Sequence, residues 1–270
     1  MSAWLHALPV VWMGVVIFAA TYLVAAGIYA LVTALAAGER ARAFKAISPG
    51  MLPPLGIIFG LLVAFIAAQV WNDLDRAHAA VNREASALRA VVLLSASFPG
   101  ETEHHLRALV RRQIENAAVQ EWPAMAGGRA TLAVTPAPLA EALHLILGLS
   151  PRGDGQVAAH RELLSAVENV LDARRQRIIL SQSSVNGVKW TGVLLQALCT
   201  LLAIAMVHSD NRLSAALALS IFATGVAVSL LLICAHDRPF TGQTSVRPDV
   251  LLQVMPEERP ADAGEQRVPP

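Results

Sequence analysis

Eight histidines and two cysteines are the residues from which metal or redox chemistry could be built in this chain of 270 residues. The densest cluster, Glu103-His104-His105, fails as a simple metal site. Neighbouring residues on a helix point about 100° apart, so two such imidazoles cannot share one ion. His144 falls in an apolar helical stretch, and His208 and His236 fall at the boundaries of apolar runs, where an amphipathic ring sits comfortably without a ligand. Cys199 and Cys234 lie inside apolar runs with no Cys-x-x-Cys or Cys/His spacing around them, so neither a disulfide framework nor a zinc site is expected. The sequence holds no Walker loop, GxGxxG, GxSxG or HExxH. No catalytic residue, metal or cofactor is expected, and the chain reads as something other than an enzyme.

The elements that would have to position any site are dominated by apolar residues. Hydrophobic residues make up 55% of the chain and charged ones 15%, too apolar a balance for an ordinary soluble domain. Four windows, Val10 to Ala37, Met51 to Trp71, Trp190 to Val207 and Leu213 to Ala235, contain no Lys, Arg, Asp or Glu. Each is close to or above the roughly 20 residues needed to cross a bilayer core as a helix, so four spans are predicted. The first run is longer than the core of a signal peptide and has no positive charge before it, so it is expected to be a retained helix. Polar residues in the spans are few, and none is ionisable in the carboxylate or amine sense, which weighs against an ion-coupled carrier. No internal repeat is visible, so an inverted-repeat transporter is not suggested either.

Segment 72–187, between the second and third spans, carries twelve basic and twelve acidic residues. Such a neutral segment is a poor partner for phosphate backbones, and no nucleic acid is expected. Four spans put both termini and this segment on one side. Near the membrane that side carries Arg76, Arg83, Arg174, Arg175, Arg177, Lys189, Arg238 and Arg247, against Arg40, Arg42, Lys45 and Arg212 on the other. The balance predicts a multi-pass protein of the inner (plasma) membrane with termini and large segment cytoplasmic.

The expected fold is all-α: four transmembrane helices with a cytoplasmic helical layer inserted between the second and third spans. Residues 1–71 hold the first two spans, 72–187 a soluble segment of four helices, 188–236 the last two spans, and 237–255 a juxtamembrane motif. The proline-rich residues 256–270 are expected to be a disordered tail. Apolar spacing through Leu74, Ala77, Val81, Ala85, Leu88 and Val92 continues the second span as one helix over 54–97, broken by Pro99-Gly100. A helix over 102–122 should stop at Pro123, one over 135–148 should start with Thr135 as its cap, and a long one should cover 156–183. The Arg-Gly-Asp at 152–154 reads as turn chemistry.

Within the second span, Ile57, Leu61 and Phe65 follow at four-residue steps, with Gln69 one turn further. Such a stripe either packs on neighbouring spans or lines a pore at an oligomer axis, gated by dewetting.

Three segments carry a resemblance to a known family. They are Gly60 to Phe65 running through Trp71 to Ala77, Val81 and Glu84-Ala85; Glu121-Trp122-Pro123-Ala124-Met125 after a helix bearing Arg107, Arg111 and Arg112; and Asp237-Arg238-Pro239-Phe240-Thr241-Gly242 before Val246 and Pro248. Together they resemble the bestrophin-like family of bacterial membrane proteins, from the second span to about Met255. The more remote resemblance to the bestrophin anion channels rests on the second span, where Ile57, Leu61 and Phe65 fall at those channels' apolar neck. It implies a passive small-anion pore formed by a homo-oligomer, by that resemblance a pentamer, with the second span on the axis. It does not imply calcium gating: the acidic cluster that follows the fourth span in animal bestrophins has no counterpart, since Glu257 and Glu258 stand in a proline-rich tail. Where the family often has a proline before the third span, Val185-Asn186-Gly187 stands, a place where the chain could bend through glycine.

The motif residues also have structural readings. Glu84 is expected to pair with an arginine of the long helix, among Arg174, Arg175 and Arg177, and Asp237 with Arg238 or with that basic run. Phe240 would anchor at the headgroup level and Gly242 would permit a turn. The alternative function is a non-conducting membrane scaffold or sensor whose cytoplasmic helices bind a partner.

Overall fold

The structure is a computed structural model that describes residues 8–36, 44 and 49–257. Arg40, Arg42 and Lys45 of the first loop and the tail from Glu258 lie outside the described residues. The described part is all-α, and four of its helices are long and apolar enough to cross a membrane. The chain divides into two compact units. One holds the residues up to Asp75 and Gln182–Val246; the other holds Arg76–Ser181 and the segment from Arg247.

The first unit contains α1 (Val10–Leu35), the opening part of α2 (Leu52–Ser95), α7 (Gly187–Val207) and α8 (Arg212–His236). A 3-10 turn at Pro49–Met51 leads into α2, and Pro53 and Pro54 take first-turn positions where a backbone N–H has no intrahelical partner. At the start of α7 the Asn186 side chain accepts from the Lys189 N–H, and at the start of α8 the Asn211 side chain accepts from the Leu213 and Ser214 N–H groups. The third span therefore opens on an asparagine cap three residues earlier than expected, and Gly187 enters the helix without a left-handed bend.

Helix α1 packs chiefly on α8 and also on α7. One apolar cluster joins Met13 and Ile17 to Phe59, Ile66 and Val70 of α2 and to Trp190, Val193 and Ile233; a second joins Ala25, Ile28 and Val32 to Leu201, Leu219 and Ala223. The Phe59 and Phe222 rings meet at 5.4 Å and a tilted 56°. Hydroxyls are satisfied one turn back: Thr21 donates to Ile17 O, Thr200 to Gln196 O and Ser229 to Gly225 O. Local satisfaction of this kind is what a segment without access to water requires.

The second unit contains the remainder of α2, α3 (Glu101–Asn116), a π-helical turn (Ala117–Glu121), α4 (Trp122–Ala126), α5 (Ala137–Leu147), α6 (Asp154–Ser181) and α9 (Asp249–Gln253). Helix α3 packs on α5, and α6 packs on α5 and α4. Glycines with positive φ, Gly100 at 94° and Gly153 at 81°, make the turns before α3 and α6.

Three local expectations are corrected. The helix predicted to stop at Trp122 runs through to Ala126, because the Trp122 N–H reaches back five residues to Ala117 O and Pro123 follows in the first turn of α4, where no N–H is needed. Thr135 is not the cap of α5: Pro136 holds that position, with no side-chain bond to the helix. The segment 237–255, read as a motif without helix, includes α9, whose Leu251 is fully buried.

Candidate functional site

The α2 stripe is built by helical spacing alone. Residues four apart rise about 6 Å and stay on one side of the helix, and Phe59, Ile66 and Val70 turn the opposite side into the core of the first unit. Ile57, Leu61 and Phe65 are thereby left uncovered, at 63%, 52% and 71% exposure, and Trp71 at 51%. Gln69 differs from the stripe it continues: it is half-buried, and the Lys189 Nζ of α7 donates to its Oε1. Only 11% of the α2 apolar window is buried within the chain, compared with 28%, 33% and 39% for α1, α7 and α8.

At the end of α8 the chain folds into a closed turn. Asp237 Oδ1 accepts from the Val185 N–H at 2.7 Å, and the Val246 N–H donates to Pro239 O at 2.8 Å. Gly242 supplies the positive φ of 88° that the turn needs. Phe240 is 3% exposed, so it packs inside this unit and is not the interfacial anchor expected of it. Pro239 is buried beside it and Arg238 is half-buried.

The second unit holds an ion cluster in its core. Arg177 of α6 is wholly buried and donates from Nε and Nη2 to the two oxygens of Glu84 on α2, at 2.6 and 3.0 Å. Its Nη2 also donates to Glu121 at 2.7 Å, and Arg174, one turn earlier, donates from Nε to the other Glu121 oxygen at 2.7 Å. Trp122 lies under the guanidinium at 4.5 Å, and Met125 Sδ takes a bond from Nη1 at 3.4 Å. Two arginines and two carboxylates leave the cluster neutral. Burial disfavours the charge on Arg177, but the two carboxylates and the bonds donated to them outweigh it and hold its pKa above the ordinary arginine value. The π turn is what delivers Glu121: its extra residue rotates Glu121 and Trp122 toward Arg177, while Pro123 stays on the exposed side.

The structure thus brings Glu84, Glu121, Trp122, Arg174 and Arg177 together in one unit, and gathers Asp237, Pro239, Phe240 and Gly242 in one turn in the other. Among the described residues no three His, Cys, Asp or Glu side chains converge as metal ligands, and His104 and His105 are both exposed.

The family model of the Bestrophin-like domain matches residues 19–251. The chain belongs to the bestrophin-like family. The matched span takes in the α2 stripe, the ion cluster and the turn after α8 of this bestrophin-like chain. No curated protein and no solved structure matches it. Sequence reasoning missed the place of Met125 against Arg177 and the joint hold of Glu121 on two arginines. The available signal was Arg174 and Arg177 at a three-residue step on one helix face, which two acidic partners, not one, could serve.

Proposed function

We propose that this bestrophin-like protein is a passive small-anion pore, not an enzyme, formed by a homo-oligomer with α2 on the axis. The observation that carries the reading is the poor coverage of α2 by its own chain: Ile57, Leu61 and Phe65 form an apolar stripe that no other part of the described chain covers. In a ring of copies such a stripe would make stacked apolar constrictions, which conduct when they wet and close when they dry. Gln69, tied to Lys189, would hold α2 against α7 at the end of the stripe. The excess of near-membrane positive charge supports a cytoplasmic location for 72–187 and both termini. Reporter fusions after Met255 should then be active only as cytoplasmic reporters, and an active periplasmic one would reverse the topology.

The experiment is anion flux into liposomes carrying the purified protein. Phe65→Ala should raise flux, because a wider and less apolar constriction wets more readily. Absent flux in both the parent and Phe65→Ala, in samples shown to be folded, would leave a non-conducting scaffold as the reading.

A further inference from the structure

Away from the ion cluster, the second unit contains two adjoining cavities of about 370 and 300 Å³ that share Arg107, Pro256 and Glu257. The larger is lined by Arg89 of α2 and Arg107 of α3, with Val92, Leu93 and Met255 as apolar wall. The smaller adds Arg111 and Arg112. We propose that this pocket, between α2, α3 and the irregular segment after α9, binds the phosphate group of a small phosphate ester.

The charges around the pocket are unevenly satisfied. Arg112 is held by Glu141 at 2.7 Å, and Arg111 has Glu115 at 3.9 Å. Arg107 reaches Glu103 only at 3.5 Å and only through Nη1, while its Nε is buried without a hydrogen-bond partner. Arg89 has no ion pair among the described residues. Glu257 lines both cavities, yet it forms no ion pair with any of these arginines. Two guanidiniums from different helices therefore face one cavity with donors to spare.

A buried N–H without an acceptor is unfavourable, and an anionic oxygen in the pocket would satisfy it with a charge-assisted bond. Phosphate fits this donor set better than carboxylate. A phosphate monoester carries up to two negative charges on three terminal oxygens, against one charge on the two oxygens of a carboxylate, and so matches Arg89 and Arg107 in charge as well as in donors. The volume suits a small organic molecule, and Val92, Leu93 and Met255 would pack its carbon skeleton. A soluble phosphate ester and a phospholipid headgroup share this chemistry.

The test is isothermal titration of the full-length protein in detergent with glycerol 3-phosphate and, separately, with short-chain phosphatidic acid. Saturable binding is expected, weakened at least about tenfold by Arg89→Gln and by Arg107→Gln, since each removes a charged donor. Arg161→Gln, at an exposed arginine that does not line the pocket, should bind like the parent. Glu257→Gln should tighten binding by removing a like charge at the rim. Tighter binding of the lipid, lost in Leu93→Ser, would support the site with a membrane lipid as source; equal binding of the two would support it with a soluble ester. No binding of either probe to folded parent protein, or Arg89→Gln and Arg107→Gln both binding as the parent does, would overturn the proposal. Because Arg89 is exposed, its substitution tests the pocket without disturbing the fold.

Discussion

In the unit that holds the apolar helices the hydroxyls of Thr21, Thr200 and Ser229 find their partners within their own helices, whereas in the other unit four charged side chains from α2, the π turn and α6 pair with one another across elements. The contrast follows from the two solvents. Lipid tails are as apolar as leucine, so packing between spans gains little by excluding them, and an exposed stripe such as Ile57, Leu61 and Phe65 carries no penalty there. In water the same stripe would be an aggregation surface. Uncovered apolar residues in α2 are thus compatible with lipid contact or with a pore axis, and only function separates the two. The ion cluster has no such freedom: its charges are out of water and hold one register of α2, the π turn and α6.

The largest effect is expected where a buried charge loses its partner. Arg177→Met leaves Glu84 and Glu121 facing each other with Arg174 alone, and should destabilise the second unit by about 3–5 kcal/mol in chemical unfolding. Combined with Glu84→Gln, the loss should fall short of the sum of the two single changes by about 1–3 kcal/mol; additive losses would mean the pair is not coupled. Asp237→Ala in the other unit strips the buried Val185 N–H of its acceptor, and about 1–3 kcal/mol is expected from the same measurement. Phe65→Ala sits at the small end. At 71% exposure it should change stability by no more than about 0.5 kcal/mol, and a core-like loss would place Phe65 in packing rather than on an open face.

The four long apolar helices were readable because charge-free runs of sufficient length mark helices apolar enough to cross a membrane. The pairing of Glu84 with an arginine of α6 was readable for a related reason: a carboxylate on the apolar face of a helix needs a cation. What the sequence hid depends on backbone geometry that side-chain patterns do not encode. The π turn at Ala117–Glu121 shifts the helical phase by one residue, which moved Glu121 onto the Arg177 face and made Pro123 harmless. A regular helix through the same residues would have pointed Glu121 elsewhere. Phe240 was misassigned to the interface because nothing local announces that the chain turns back through Gly242 to bury it. Helix α9 is five residues long, too short for a periodic signal.

The pore reading is tested most directly at the middle of the stripe. In a background with Cys199→Ser and Cys234→Ser, which removes both native thiols, Leu61→Cys places a single thiol on the exposed face of α2. A charged, water-soluble thiol reagent should modify it in liposome-reconstituted protein and block anion flux, because a pore-lining position meets water when the pathway is open. A thiol at Leu61 that stays unmodified while flux continues would put the stripe against lipid and contradict the account.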